Sequence, residues 1–120
     1  MRVLIGVLLT VMLACAADVS GNWSGKTRLT VNGRTEEDTI YLSLRQNADA
    51  ITGTAGPTLE QQAPIRTGKI EGNHITLEVP IPDGVFKFDI NLEGDHLKGD
   101  VVAVAQGQTI KATMDATKVK

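Results

Sequence analysis

The stretches Lys69-Ile70-Glu71-Gly72-Asn73-His74-Ile75 and Asn91-Leu92-Glu93-Gly94-Asp95-His96-Leu97 decide the fold, because each repeats the other. A worn third copy, Arg45-Gln46-Asn47-Ala48-Asp49-Ala50-Ile51, lies upstream. Every copy carries a Gly-Asn, Gly-Asp or Ala-Asp pair, then one more residue and an aliphatic. Gly beside Asn or Asp accepts the positive φ that two-residue hairpin turns require, so each copy is the tip of a β-hairpin. The copies recur at intervals of 22 to 24 residues, room for two strands and two turns per repeat.

Outward from these tips the chain alternates apolar and polar residues with period two, and no stretch sustains a helical period. Strands are expected over residues 22–31, with Trp23, Gly25, Thr27, Leu29 and Val31 inward, and over 39–46, with Ile40, Leu42 and Leu44 inward. Asn32-Gly33 marks a turn between them, followed by a polar run over 34–38. A third strand over 50–55 turns Ile51 and Gly53 inward, and residues 56–63 form the longest loop. The fourth, over 64–71, breaks parity: Ile65 and Ile70 share a face only with an extra residue, which predicts a bulge near Thr67-Gly68.

A fifth strand over 74–79 buries Ile75, Leu77 and Val79, and Pro80 to Gly84 form the next turn. The sixth buries Phe86, Phe88, Ile90 and Leu92, the seventh Leu97, Gly99, Val101 and Ala103, and the eighth Ile110, Ala112, Met114 and Ala116. Eight sequential strands with short connections form an all-β antiparallel up-and-down meander. Closing it into a small barrel removes the exposed edges. An open two-sheet sandwich is the rival, and a run of short connections favours closure.

Residues 1–17 read as a secretory signal peptide and 18–120 as a single β-barrel domain. Arg2 supplies a positive start, residues 3–13 an apolar run too short to span a bilayer, and Ala14-Cys15-Ala16 a small-x-small cleavage pattern. The product would be secreted or periplasmic. An alternative cleavage reads Met12-Leu13-Ala14-Cys15 as a lipobox, making Cys15 the lipidated first residue of an anchored lipoprotein. Cys15 is the only cysteine, so the mature domain carries no disulfide and depends on its core and its sheet. Without Arg2, the 12 basic and 14 acidic residues become 11 and 14, a mature charge of −3. That balance offers nothing to nucleic acid or anionic membrane. Trp23, Tyr41, Phe86 and Phe88 are the whole aromatic complement, too few for a stacking platform.

With Gly21-Asn22-Trp23 opening the first strand, the chain resembles the calycin barrels: lipocalins, fatty-acid-binding proteins and avidins. Val19-Ser20-Gly21-Asn22-Trp23 followed by Ile51-Thr52-Gly53-Thr54 looks avidin-like. The same opening and the Gly-Asp turns are similar to short secreted bacterial β-barrel domains of unknown function. The resemblance implies that the indole of Trp23 plugs one barrel end. Avidin-type biotin sites rest on several tryptophans, and this chain has one. Lipocalins set a late Arg on the Trp, a place for which this chain offers Lys111 or Lys118.

The candidate binding surface is the interior. Leu42, Leu44, Leu77, Phe86, Phe88, Ile90, Val101 and Met114 would line an apolar pocket, with Thr27 and Thr67 as polar anchors. Such a pocket suits a small hydrophobic ligand; filled by its own side chains, the barrel would act through its loops as an interaction or protease-inhibitor-like module. His74 and His96, after equivalent turns, invite a metal-site reading. Strands two apart stand roughly 10 Å from each other, which argues against a shared ion, and no metal or cofactor is expected. Adjacent Glu36, Glu37 and Asp38 in a polar run are solvated rather than an acid pair, and Ser24 sits on no nucleophile elbow. No catalytic constellation emerges.

Overall fold

In the computed structural model, residues 18–119 are described; the expected signal segment, with Cys15, lies outside them. Nine strand segments follow in order: β1 (Gly21–Val31), β2 (Arg34–Asn47), β3 (Ala50–Gly56), β4 (Ala63–Pro64), β5 (Thr67–Glu71), β6 (His74–Ile81), β7 (Gly84–Glu93), β8 (His96–Ala105) and β9 (Gln108–Lys118). Consecutive segments pair antiparallel except β4 and β5, which both pair with β3, and β1 pairs β9 from Trp23↔Lys118 to Leu29↔Ala112. The sheet closes on itself. Because β4 and β5 are two halves of one broken strand, the architecture is the expected eight-stranded antiparallel up-and-down barrel.

The break between β4 and β5 falls at Ile65-Arg66, two residues before the expected bulge. It has the anticipated cause. Ile65 packs against the core and Ile70 is buried, so the chain must change parity between them. Two backbone bonds hold the break to both flanking strands: Ile65 N–H donates to Gly53 O and Arg66 N–H to Glu78 O, each 2.8 Å.

Two other boundaries differ from expectation. The polar run 34–38 is strand, paired residue for residue with β1 from Val31↔Arg34 to Thr27↔Asp38. Asn32 (φ 53) and Gly33 (φ 79) form a two-residue turn whose twist matches that of the strands, so the hairpin extends to its tip despite the polar composition. Pro80 also lies within a strand, opposite Val85. Glu78 O accepts from Arg66, so Glu78 and, two residues on, Pro80 turn their peptide groups away from β7. The N–H that Pro80 lacks is therefore not needed by the β6–β7 ladder.

The repeated Gly-Asn, Gly-Asp and Ala-Asp turns all fall at one end of the barrel, joining β5–β6, β7–β8 and β2–β3. The opposite end holds the turns at Asn32-Gly33, Pro82-Asp83 and Gln106-Gly107 and the loop over 57–62. The first end is closed. Trp23 is 2% exposed and Val19 0%. Trp23 Nε1 donates to Val19 O at 2.9 Å, Val19 N–H donates to Gln46 Oε1 at 3.0 Å, and Lys118 Nζ lies 5.7 Å from the indole centroid. The late cation on the plug tryptophan is thus Lys118 and not Lys111.

Candidate functional site

Side-chain size varies along the barrel axis. Toward the Trp23 end the interior is filled by Leu42, Leu44, Ile51, Ile75, Leu77, Ile90, Leu97 and Met114, all buried. Each contributes roughly 1.5–3 kcal/mol through removal of apolar surface from water. Toward the other end the inward positions shrink to Ala55, Ala63, Ala103 and Ala112. Short side chains on four strands of a barrel of constant strand number leave space. The result is a cavity of about 610 Å³ that opens between the β1–β2 hairpin, the 57–62 loop and the β6–β7 turn.

Its floor is Ile40, Val79, Phe88 and Val101, with Phe86 and Leu29 on the walls. Ile81 and Ile110 stand near the mouth; Ile110 is 44% exposed although it faces inward. Polar groups are few: Thr27, Asp38, Thr39 and Gln61. Asp38 follows Ile40, Leu42 and Leu44 at period two, which places it on the inward face of β2 at the rim. The Thr27 hydroxyl makes a long hydrogen bond, 3.4 Å, to the Asp38 carbonyl oxygen across the β1–β2 ladder.

The mouth is partly covered by the 57–62 loop, and Gln62 fixes that loop in place. Its Nε2 donates to Thr58 O at 2.8 Å and to Tyr41 O at 3.4 Å, while its Oε1 accepts from the Thr54 hydroxyl at 2.8 Å. One side chain therefore ties the loop to itself, to β2 and to β3. Leu59, at the loop's outer side, is 76% exposed.

Of the residues expected to line a pocket, Phe86, Phe88 and Val101 reach the cavity. Leu42, Leu44, Leu77, Ile90 and Met114 lie in the filled half, packed against one another. The two anchors part company. Thr27 lines the cavity, whereas Thr67 is exposed on β5 opposite Glu78, because the parity change at Ile65-Arg66 turns it outward. Alternation alone does not distinguish the two halves of the interior. The signal for the cavity residues was the run of inward alanines at one end of the strands. The signal for Asp38 was the β2 parity continued two residues past Ile40.

Several charged side chains pair with one another on the outer face of the barrel. Arg28 pairs with Glu37, Arg66 with Glu78 at 2.9 Å, and both carboxyls are held below the ordinary carboxylate range by the guanidinium hydrogen bond. Asp18 is lowered by the Ser20 backbone N–H it accepts. His74 Nε2 meets Asp89 Oδ1 at 2.5 Å and His96 Nδ1 meets Asp115 Oδ1 at 2.7 Å, so each imidazole has its own aspartate on the neighbouring strand.

No protein-family model matches the chain, and no curated protein matches it. Among solved structures it is similar to zebrafish ileal bile acid-binding protein complexed with cholic acid, at 16% identity and a TM-score of 0.47, over 83% of this chain and 98% of that one. It is also similar to the M. tuberculosis protein Rv2717c, at 12% identity and a TM-score of 0.48, over 94% of this chain and 97% of that one.

Proposed function

We propose that this chain is a non-enzymatic, secreted or periplasmic binding protein that holds a small hydrophobic molecule in the open half of its barrel. The observation that carries the reading is the cavity of about 610 Å³ with almost wholly apolar walls, within the roughly 300–1,000 Å³ span of small-molecule sites. Transfer of an apolar ligand into it gains roughly 25 cal/mol for each Å² removed from water. The export part of the reading rests on Arg2, the apolar residues 3–13 and Ala14-Cys15-Ala16, with lipid anchoring at Cys15 as its alternative. The non-enzymatic part rests on the lining hydroxyl that stands nearest a carboxylate: Thr27 donates to the Asp38 backbone carbonyl and not to the Asp38 carboxylate, so no base activates it.

The test is a cavity-filling variant. Ala112→Phe places a ring where β9 passes the cavity wall. It should abolish binding of a neutral apolar dye such as N-phenyl-1-naphthylamine while the circular dichroism spectrum keeps its β form. Undiminished dye binding by a folded Ala112→Phe protein would put the ligand somewhere else. A second reading, a module that engages a protein partner through its loops, is favoured by Leu59, exposed on the 57–62 loop. Leu59→Ser separates the two, since it should leave dye binding intact and weaken only a protein contact.

A further inference from the structure

We infer that the ligand carries no carboxylate and that its head group is a hydrogen-bond donor, an alcohol or an amine, set against Asp38. The inference rests on the proposed binding role of the cavity and adds the chemical class of what it holds. Among the residues that line the cavity, Asp38 alone is ionisable; no Lys, Arg or His takes part. Arg28 and Arg66 face outward in ion pairs with Glu37 and Glu78. An ionised carboxylate entering the apolar half would lose its hydration with no cation to replace it. Left at the rim, it would meet the like charge of Asp38.

An amine or hydroxyl reverses both terms. Asp38 is exposed at the rim and its carboxylate accepts only, so it suits a donor that remains near water while the apolar tail occupies the alanine-lined space. Gln61, also on the lining, carries an amide with both a donor and an acceptor, so it accommodates a neutral head equally well. The rim therefore selects by charge, and the interior accepts by size.

The experiment is displacement of N-phenyl-1-naphthylamine at low ionic strength and pH 8 by three twelve-carbon competitors below their micellar concentrations: dodecylamine, dodecanol and dodecanoate. Dodecylamine and dodecanol should displace the dye at concentrations about tenfold or more below dodecanoate. Asp38→Asn, at an exposed position, should weaken dodecylamine about three- to fivefold, the range of an exposed ion pair, and leave dodecanol unchanged. Dodecanoate that competes as well as the alcohol would overturn the inference and leave the binding role standing. Dye binding that is absent from the wild-type protein would overturn the binding role itself. A dodecylamine affinity unchanged by Asp38→Asn would remove Asp38 from the recognition.

Discussion

The indole nitrogen of Trp23 donates to the carbonyl oxygen of Val19 at 2.9 Å, and this bond joins the start of the barrel to the segment that covers its end. Val19 is fully buried and its own N–H is bound by Gln46. Gln46 in turn takes its backbone N–H to the Ser20 hydroxyl at 2.9 Å. The plug is therefore a small network, in which the ring fills volume and the segment before it is tied to β2.

Trp23→Phe keeps most of the ring volume and removes the donor. The Val19 carbonyl would stay buried without a partner, which costs about 1–3 kcal/mol. A urea melt followed by circular dichroism should show that loss. Dye affinity should change less than about twofold, because the cavity lies at the other barrel end and well-separated sites act independently. A matching drop in dye affinity would mean that the two halves of the barrel are coupled.

The 57–62 loop gives a kinetic prediction. Gln62→Ala removes the bonds to Thr58, Tyr41 and Thr54 together and frees the loop at the cavity mouth. Loops with few remaining contacts open at low free-energy cost. Stopped-flow measurement of dye release should give a faster off-rate by about threefold to tenfold, the effect of about one or two net hydrogen bonds. Stability should fall by little, since the barrel ladders are untouched. An unchanged off-rate would mean that the loop does not gate the mouth.

How much of this was legible in the sequence depends on what alternation encodes. Period two tells inside from outside, so the strands, the closed meander and the inward set from Leu42 to Met114 could all be read, while Trp23 as plug came from the resemblance of the Gly21-Asn22-Trp23 opening. It does not encode height along the barrel axis. Height follows from cross-strand register, such as Phe86↔Ala103 and Val101↔Ala112, which only the paired structure supplies. Leu42 and Phe86 therefore looked alike as pocket residues, although one sits in the filled half and the other on the cavity wall. Asp38 was hidden for a different reason. The polar run 34–38 carries the composition of a loop, and strand propensity yields there to the pairing that Asn32-Gly33 enforces.

Two glycines separate turn geometry from packing. Gly94 has φ +64 and open space where a Cβ would stand, so Gly94→Ala costs about 1–2 kcal/mol of left-handed backbone strain and nothing more. Gly53 has φ +137, and a Cβ there would run into the Ser43 carbonyl oxygen on β2. Gly53→Ala must therefore strain its own backbone and separate β2 from β3. Urea melts should rank Gly53→Ala well below Gly94→Ala, with His96→Ala closest to wild type because its bond to Asp115 is exposed. Equal midpoints for the two glycine variants would show that β3 can slide without loss.

The exposed pairs Arg28–Glu37 and Arg66–Glu78 set an acid dependence whose sign is determined. Both carboxyls have folded-state pKa values below the ordinary 4.5, first because of the guanidinium hydrogen bond. A depressed carboxylate pKa means that the stabilisation is fully present above the unfolded value. It is lost as pH falls through the folded value. At neutral pH the wild type should thus melt at a slightly higher temperature than the double variant Glu37→Gln, Glu78→Gln. The gap should close as pH falls below the unfolded value and both folded carboxylates protonate, and it should also narrow in about 1 M salt, because both pairs are open to solvent. Thermal melts across that pH range test the assignment. A gap that widens on acidification would require these carboxyls to be raised on folding, against the geometry of their arginine partners.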